Sequence, residues 1–261
     1  MKQFNCSSIS AVAGGSLLAM LLANHALADS APTDGTWTGK GQGGLLISSG
    51  NTNATSLNAK VDLSQTNGLW KQSVSLGGLY GKSNGILSSE RIEGRYQLDR
   101  KIDEKMFWFG SLDGNRDLFS GFNYQATLAT GIGYKFVDTA TTKFSGQVGL
   151  GYQRLQTQQL TKDITGAVVK RTNAEAEGNL VAVAGLSLEQ TLSANTKLLD
   201  KLAVTSGSKN TAVANDLGLQ VSMSDRLALS LGYGIRYNTK PPAGVKNLDQ
   251  VSTANIVYSF K

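Results

Sequence analysis

Polar and apolar residues alternate one by one along most of this chain. Leu227, Leu229, Leu231, Tyr233, Ile235 and Tyr237 fall on one face, and Ala228, Ser230, Gly232, Gly234, Arg236 and Asn238 on the other. A period of two belongs to a β-strand, because successive side chains point to opposite faces. Turn residues at Ser49-Gly50-Asn51-Thr52, Asn67-Gly68, Ser83-Asn84-Gly85, Asp138-Thr139 and Ser224-Asp225 cut the pattern into segments. About twelve strands are predicted, near 37–48, 54–65, 69–81, 87–99, 105–117, 122–136, 143–156, 174–190, 196–206, 212–223, 227–238 and 249–260. Pro32, Pro241 and Pro242 all fall outside them, as suits a residue that cannot donate to a ladder.

Alternation alone does not choose a solvent. A soluble periplasmic barrel also alternates, with its apolar face turned inward. The aromatic residues favour lipid. Trp70 and Tyr80 share one face at opposite ends of a strand, with Val74, Leu76 and Gly78 between. Tyr124 with Tyr134, and Phe144 with Tyr152, repeat the arrangement, and Trp37, Trp108, Tyr258 and Phe260 also mark strand ends. Membrane barrels carry such girdles on either side of an apolar band. The predicted fold is therefore all-β: a single antiparallel transmembrane β-barrel covering 37–261, with membrane lipid and lipopolysaccharide around it. Val181 and Val183 on the expected inner face, and Asp200 among outward apolar residues, are exceptions to the pattern.

The N-terminus reads as a targeting signal. Lys2 precedes the small, apolar run Ala11–Leu22, and Ala26-Leu27-Ala28 is an A-x-A cleavage site. Residues 1–28 are expected to be a cleaved signal peptide and 29–36 a short N-terminal segment. Cys6 and His25 are the only Cys and His, and both lie in the signal. A mature chain without thiol or imidazole excludes disulfides, Cys/His metal sites and Cys or His catalytic dyads. The turn Ser49–Asn53 holds no carboxylate for Ca²⁺. No metal or cofactor is expected. The net charge of +6 is spread without a basic run, so nucleic acid is not an expected partner.

An even strand count puts both ends of the barrel at the periplasmic side. Counting from Trp37, the two longest loops, Thr157–Asn173 and Thr239–Leu248, then fall outside the cell. Tyr258 and Phe260, two apart near the end of the last strand, are candidates for the signal read by the barrel-assembly machinery, although Lys261 follows them.

Ser48-Ser49-Gly50-Asn51-Thr52, Trp70, Asp117-Leu118-Phe119-Ser120-Gly121, Gly131-Ile132-Gly133-Tyr134, Pro241-Pro242-Ala243-Gly244 and Asp249 occur in this order. In this the chain resembles the salt-induced outer membrane protein family, from Trp37 to Phe260. The resemblance implies an outer-membrane barrel of unassigned biochemical function, with a role in salt or osmotic response. It brings no catalytic residue.

The densest charge is Arg91, Glu93, Arg95 and Asp99, with Gln97, on one face of the fourth strand. Charges are costly on a lipid face, so this face should line the lumen. A turn at Arg100–Glu104 would set Arg95 opposite Ser111, Glu93 opposite Asp113 and Arg91 opposite Asn115. Two readings follow: an ion-pair network that fills the lumen, or a selectivity constriction. A glycosidase pair at Glu93 and Asp113 is disfavoured, because flanking arginines would leave no general acid. No enzyme is expected. Inward Gly131, Gly133, Gly149 and Gly151 leave space, which favours a channel for small ions or solutes; the charged residues could fill that space, which favours a structural barrel. The expected function is a narrow passive channel or an envelope component of osmotic adaptation.

Overall fold

The computed structural model describes residues 35–48, 54–118, 120–164, 168–242 and 245–260. The expected signal peptide, the turn Ser49–Asn53 and Lys261 lie outside these residues. Twelve strands follow in order: β1 Trp37–Ser48, β2 Ala54–Asn67, β3 Trp70–Ser83, β4 Ile86–Lys101, β5 Met106–Asp117, β6 Phe122–Asp138, β7 Thr142–Lys162, β8 Val168–Ser193, β9 Thr196–Gly207, β10 Thr211–Ser222, β11 Leu227–Asn238 and β12 Leu248–Phe260. Each pairs antiparallel with its sequence neighbour, and β1 pairs with β12, closing the barrel. Closure leaves no sheet edge with unpaired backbone groups.

The outer face is the apolar one. Leu57, Leu76, Ile92, Leu112, Leu128, Ile132, Val148, Leu150, Leu180, Leu231 and Ile256 are exposed on it. A 12-residue strand such as β1 covers roughly 40 Å, or about 30 Å after a tilt near 40°. That matches the hydrocarbon thickness of a bilayer. The barrel is thus a transmembrane one, with its apolar face turned outward.

The ladders explain two departures from the sequence-based expectation. First, Thr157–Asn173 is not a loop. β7 and β8 stay paired beyond a bulge at Thr157, from Gln158↔Asn173 to Lys162↔Val168. The polar side chains there do not end the ladder; they extend a two-stranded hairpin past its neighbours. Second, the β4–β5 register differs by two residues. Arg95 pairs with Asp113, Glu93 with Asn115, Arg91 with Asp117 and Gln97 with Ser111. The cause is the turn. Asp103 Oδ1 accepts the backbone N–H groups of Lys105 (2.7 Å) and Met106 (2.6 Å), and the pairs centre on residue 104, one later than the centre of the expected pairs. Moving a turn centre by one residue shifts every cross-strand pair by two.

Asp200 keeps the outward position that the alternation gave it. It stands opposite Leu188 and Leu217 and accepts a 2.7 Å hydrogen bond from Asn215 Nδ2. A carboxylate and an amide therefore sit together on the apolar exterior.

Candidate functional site

The lumen is built from the inward set of each strand, and the correct register decides its chemistry. Arg91 and Asp117 form a buried ion pair, Nη2 to Oδ2 at 2.6 Å with a second bond from Nε at 2.7 Å. Arg95 Nε lies 3.3 Å from Asp113 Oδ1, and its Nη2 donates to Gln97 at 2.9 Å. Gln97 Nε2 then donates to Asp99 at 2.7 Å. Glu93 lies over Gly77 of β3, where a Cβ would fall 3.1 Å from its Cγ. The five charged residues named from sequence are thus together on one wall. Glu93 and Asp113 are not cross-strand partners, because each carboxylate of β5 meets an arginine instead.

Further lumen charges come from the other strands of the ring. Arg236 of β11 holds Asp216 of β10 through two bonds, 2.8 Å and 3.0 Å. Lys60 and Asp62 of β2 lie 3.7 Å apart. Lys197 and Glu189 pair at 2.8 Å. Lys201 of β9 also faces inward, cross-strand from Asp216 and Ser187. Sequence reasoning did not gather these residues into one site because they lie on strands far apart in the chain. Their inward register was the available signal.

The space expected beside the inward glycines is occupied. A Cβ on Gly133 would run into the Phe107 ring, and one on Gly131 would meet the Val148 carbonyl and the Phe109 ring. Phe109 is fully buried, and Phe122, Leu155 and Val181 are buried with it. Gln97 Nε2 reaches Gln147 of β7, three strands away, at 3.3 Å. The inner face of β5–β8 is thereby packed around Phe109, Leu155 and Val181, while Asp113 of β5 stays accessible. The glycines serve close approach of backbone and aromatic rings rather than leaving a pore.

One rim carries a crossing contact. The β5–β6 and β11–β12 connections lie on opposite sides of the ring, six strands apart either way. Yet a Cβ on Gly121 would fall 2.8 Å from Pro242 Cδ and 3.0 Å from Val245. Gly121 has φ +78°, so both its backbone angle and its neighbour exclude a side chain. Asn210 anchors the start of this strap: its Oδ1 accepts Lys240 N–H at 3.0 Å, and its Nδ2 donates to Asn238 at 2.7 Å. Arg171 of the long hairpin donates to Leu118 O at 2.8 Å, holding the other side. Beneath, Arg91 also lies within electrostatic reach of Glu93 and Asp249.

The aromatic residues named from sequence occupy the outer face. Trp37, Trp70, Trp108, Tyr134, Phe144, Tyr258 and Phe260 lie toward the rim where β1 begins, and Tyr80, Tyr124 and Tyr152 toward the other. Trp70 and Trp108 meet edge to face at 6.4 Å, and Arg100 lies 5.7 Å over Trp70. Phe136, on the outward parity of Tyr134 and beside a bulge between Lys135 and Val137, joins Tyr134 and Phe144 at 5.4 and 5.1 Å. It extends the girdle named from sequence by one ring. Phe260 covers Gly39 of β1 and stacks on Tyr258 at 6.5 Å. Among the described residues, no cluster of three or more His, Cys, Asp or Glu is arranged to hold a metal.

The sequence matches, over residues 42–260, the family described as "Protein of unknown function, DUF481". The chain belongs to this family. A curated relative, "Uncharacterized protein YdiY" of Escherichia coli (strain K12), is 22% identical over 223 residues, covering 83% of this chain and 81% of the relative. Among solved structures, the barrel is similar to the COG4313 outer membrane channel from Pseudomonas putida F1, with TM-score 0.49 and 10% identity, covering 91% of this chain and 100% of that one. It is also similar to the NanC porin, with TM-score 0.47 and 14% identity over 86% of this chain and 99% of that one. The translocator domain of the autotransporter NalP from Neisseria meningitidis gives TM-score 0.47 and 15% identity over 86% and 87%.

Proposed function

We propose that this chain is an outer-membrane barrel forming a narrow, water-filled passive channel for small hydrophilic ions or solutes. One observation carries the reading. The side chains of Arg95 and Asp113 point into the barrel, yet they are 38% and 36% accessible. Charges inside a protein stay ionised and accessible where water reaches them. Asp216, on the opposite wall, is half exposed in the same way. The lumen therefore has room for water beside the packed β5–β8 face. The apolar exterior and its aromatic rims support a membrane setting, and export by residues 1–28 belongs to the same reading. The family resemblance adds a role in osmotic adaptation.

A second reading has its own support: the contact of Pro242 with Gly121 across one mouth favours a structural barrel with a blocked lumen. Planar-bilayer recording of the purified, refolded protein separates the two. Stepwise single-channel currents are the expected result. A folded, heat-modifiable barrel that inserts without conducting would overturn the channel.

A further inference from the structure

We infer that Lys201, together with Lys60 and Arg95, forms a binding site for a small anion of the phosphate or carboxylate class in the lumen. The inference rests on the channel reading and gives it a solute charge. Lys60 on β2 and Arg95 on β4 stand two strands apart on one side of the ring, and Lys201 on β9, five strands from each, approaches from the other. All face inward by register: Lys201 beside Asp216, Lys60 beside Gln42 and Gly77, and Arg95 beside Asp113. The Lys201 ammonium lies within electrostatic reach of Lys60, Asp62, Arg95 and Asp216.

The carboxylates nearby are committed. Asp216 is the cross-strand neighbour of Lys201, yet both its oxygens bind Arg236, at 2.8 and 3.0 Å. Its Oδ1 is shared with no lysine. Asp113 is held by Arg95 at 3.3 Å, and Asp62 lies 3.7 Å from Lys60. Among the described residues, Lys201 makes no ion pair, and it is exposed to the lumen. Within electrostatic reach of the Lys201 ammonium, the cations Lys60 and Arg95 are matched by the carboxylates Asp62 and Asp216, with Lys201 itself left over. The set carries one uncompensated positive charge, on a flexible stem with three free donors. A tetrahedral or planar oxyanion satisfies those donors and relieves repulsion among Lys60, Arg95 and Lys201. A cation meets that repulsion instead. Arg95 and Lys60 keep accessible surface beside their partners, so each can turn one donor to the same ion.

The test uses the full refolded barrel, with Lys201→Gln as the variant and Lys105→Gln, in an exposed turn, as the control. A unit charge ~6 Å from an ion in water changes its occupancy about threefold. Reversal potentials in a KCl gradient are expected to show anion preference in the parent. Lys201→Gln should lower the anion-to-cation permeability ratio about threefold, and Lys105→Gln should leave it unchanged. Inorganic phosphate should reduce the chloride current in the parent and less so in Lys201→Gln. Conduction without anion preference, or a preference unmoved in Lys201→Gln, overturns the site and leaves the channel standing. A barrel that does not conduct overturns the channel; calorimetric titration with inorganic phosphate then decides the site. Binding lost in Lys201→Gln supports it, and absence of binding overturns it.

Discussion

The inner faces of β5–β8 and of β9–β11 follow the same alternation and have opposite contents. On β5–β8 the inward set includes Phe109, Phe122, Ala129, Leu155 and Val181, all buried, together with close-approach glycines. On β9–β11 it includes Lys201, Asp216 and Arg236, which keep contact with water or sit in open ion pairs. One side of the barrel is a miniature core, and the other keeps its charges open to water. The period of a strand says which residues face inward. It does not say whether the interior at that point is filled, because filling depends on which inward residues meet across the ladder. A phenylalanine opposite a glycine closes space that the glycine alone would open.

That contrast can be broken most sharply at Phe109. Its side chain is fully buried, so Phe109→Ala should cost about 3–5 kcal/mol through lost transfer energy and a cavity. Urea unfolding of the refolded barrel measures this. Asp216→Asn, on the open side, should cost at most about 1 kcal/mol because its pair is water-exposed. Equal losses at both positions would erase the distinction between the two faces.

Asp200 sharpens the comparison from outside. The open side is polar even toward lipid, where Asp200 and Asn215 bond to each other. A carboxylate in the apolar band is destabilising. Asp200→Leu should therefore raise stability by roughly 1–2 kcal/mol, read as a shift of the unfolding midpoint to higher urea. A loss of stability would show that the Asn215 bond outweighs the cost of the charge.

The smallest effect concerns the turn that leads from β4 into the packed face. Two backbone N–H bonds, from Met106 first and Lys105 second, hold the Asp103 carboxyl below its usual range. Its folded-state value is depressed, so its contribution is complete above the ordinary carboxylate value and is lost as pH falls through the folded value. Amide exchange at Met106 is expected to quicken below about pH 4, and Asp103→Ala should remove that pH dependence. An unchanged acid profile in Asp103→Ala would assign it to another group.

Strand number, closure and the inward face of Arg91, Glu93, Arg95 and Asp99 were legible in sequence because a half-lipid, half-lumen strand must alternate. The pairing of those charges was not. It turned on one side chain, Asp103, whose hydrogen bonds set the turn centre. The hairpin beyond Thr157 was also missed, since polar residues read as loop once the apolar partner of each pair disappears. Phe107 and Phe109 stood on the inward face all along, either side of outward Trp108. What was lacking was the fact that Gly131 and Gly133 lie across from them. Lys201 stood beside Asp200, which broke the outward apolar pattern of its segment. In each case the local pattern survived, and the missing information was cross-strand.

The seam between the first and last strands is the shortest ladder in the ring's ends. It runs from Gly39↔Phe260 to Gly43↔Ile256, five rungs, whereas β1 and β2 stay paired from Trp37 to Ser48. It joins residues more than 200 positions apart in the chain, and contacts of such separation form late in folding. Gly39, Gly41 and Gly43 give β1 no outward side chains there, so the rings of Tyr258 and Phe260 act as the clasp over it. The barrel should thus breathe sideways at this joint before it loosens elsewhere. Its lifetime as a closed cylinder is set by a few rungs and two aromatic rings rather than by the average strength of its walls.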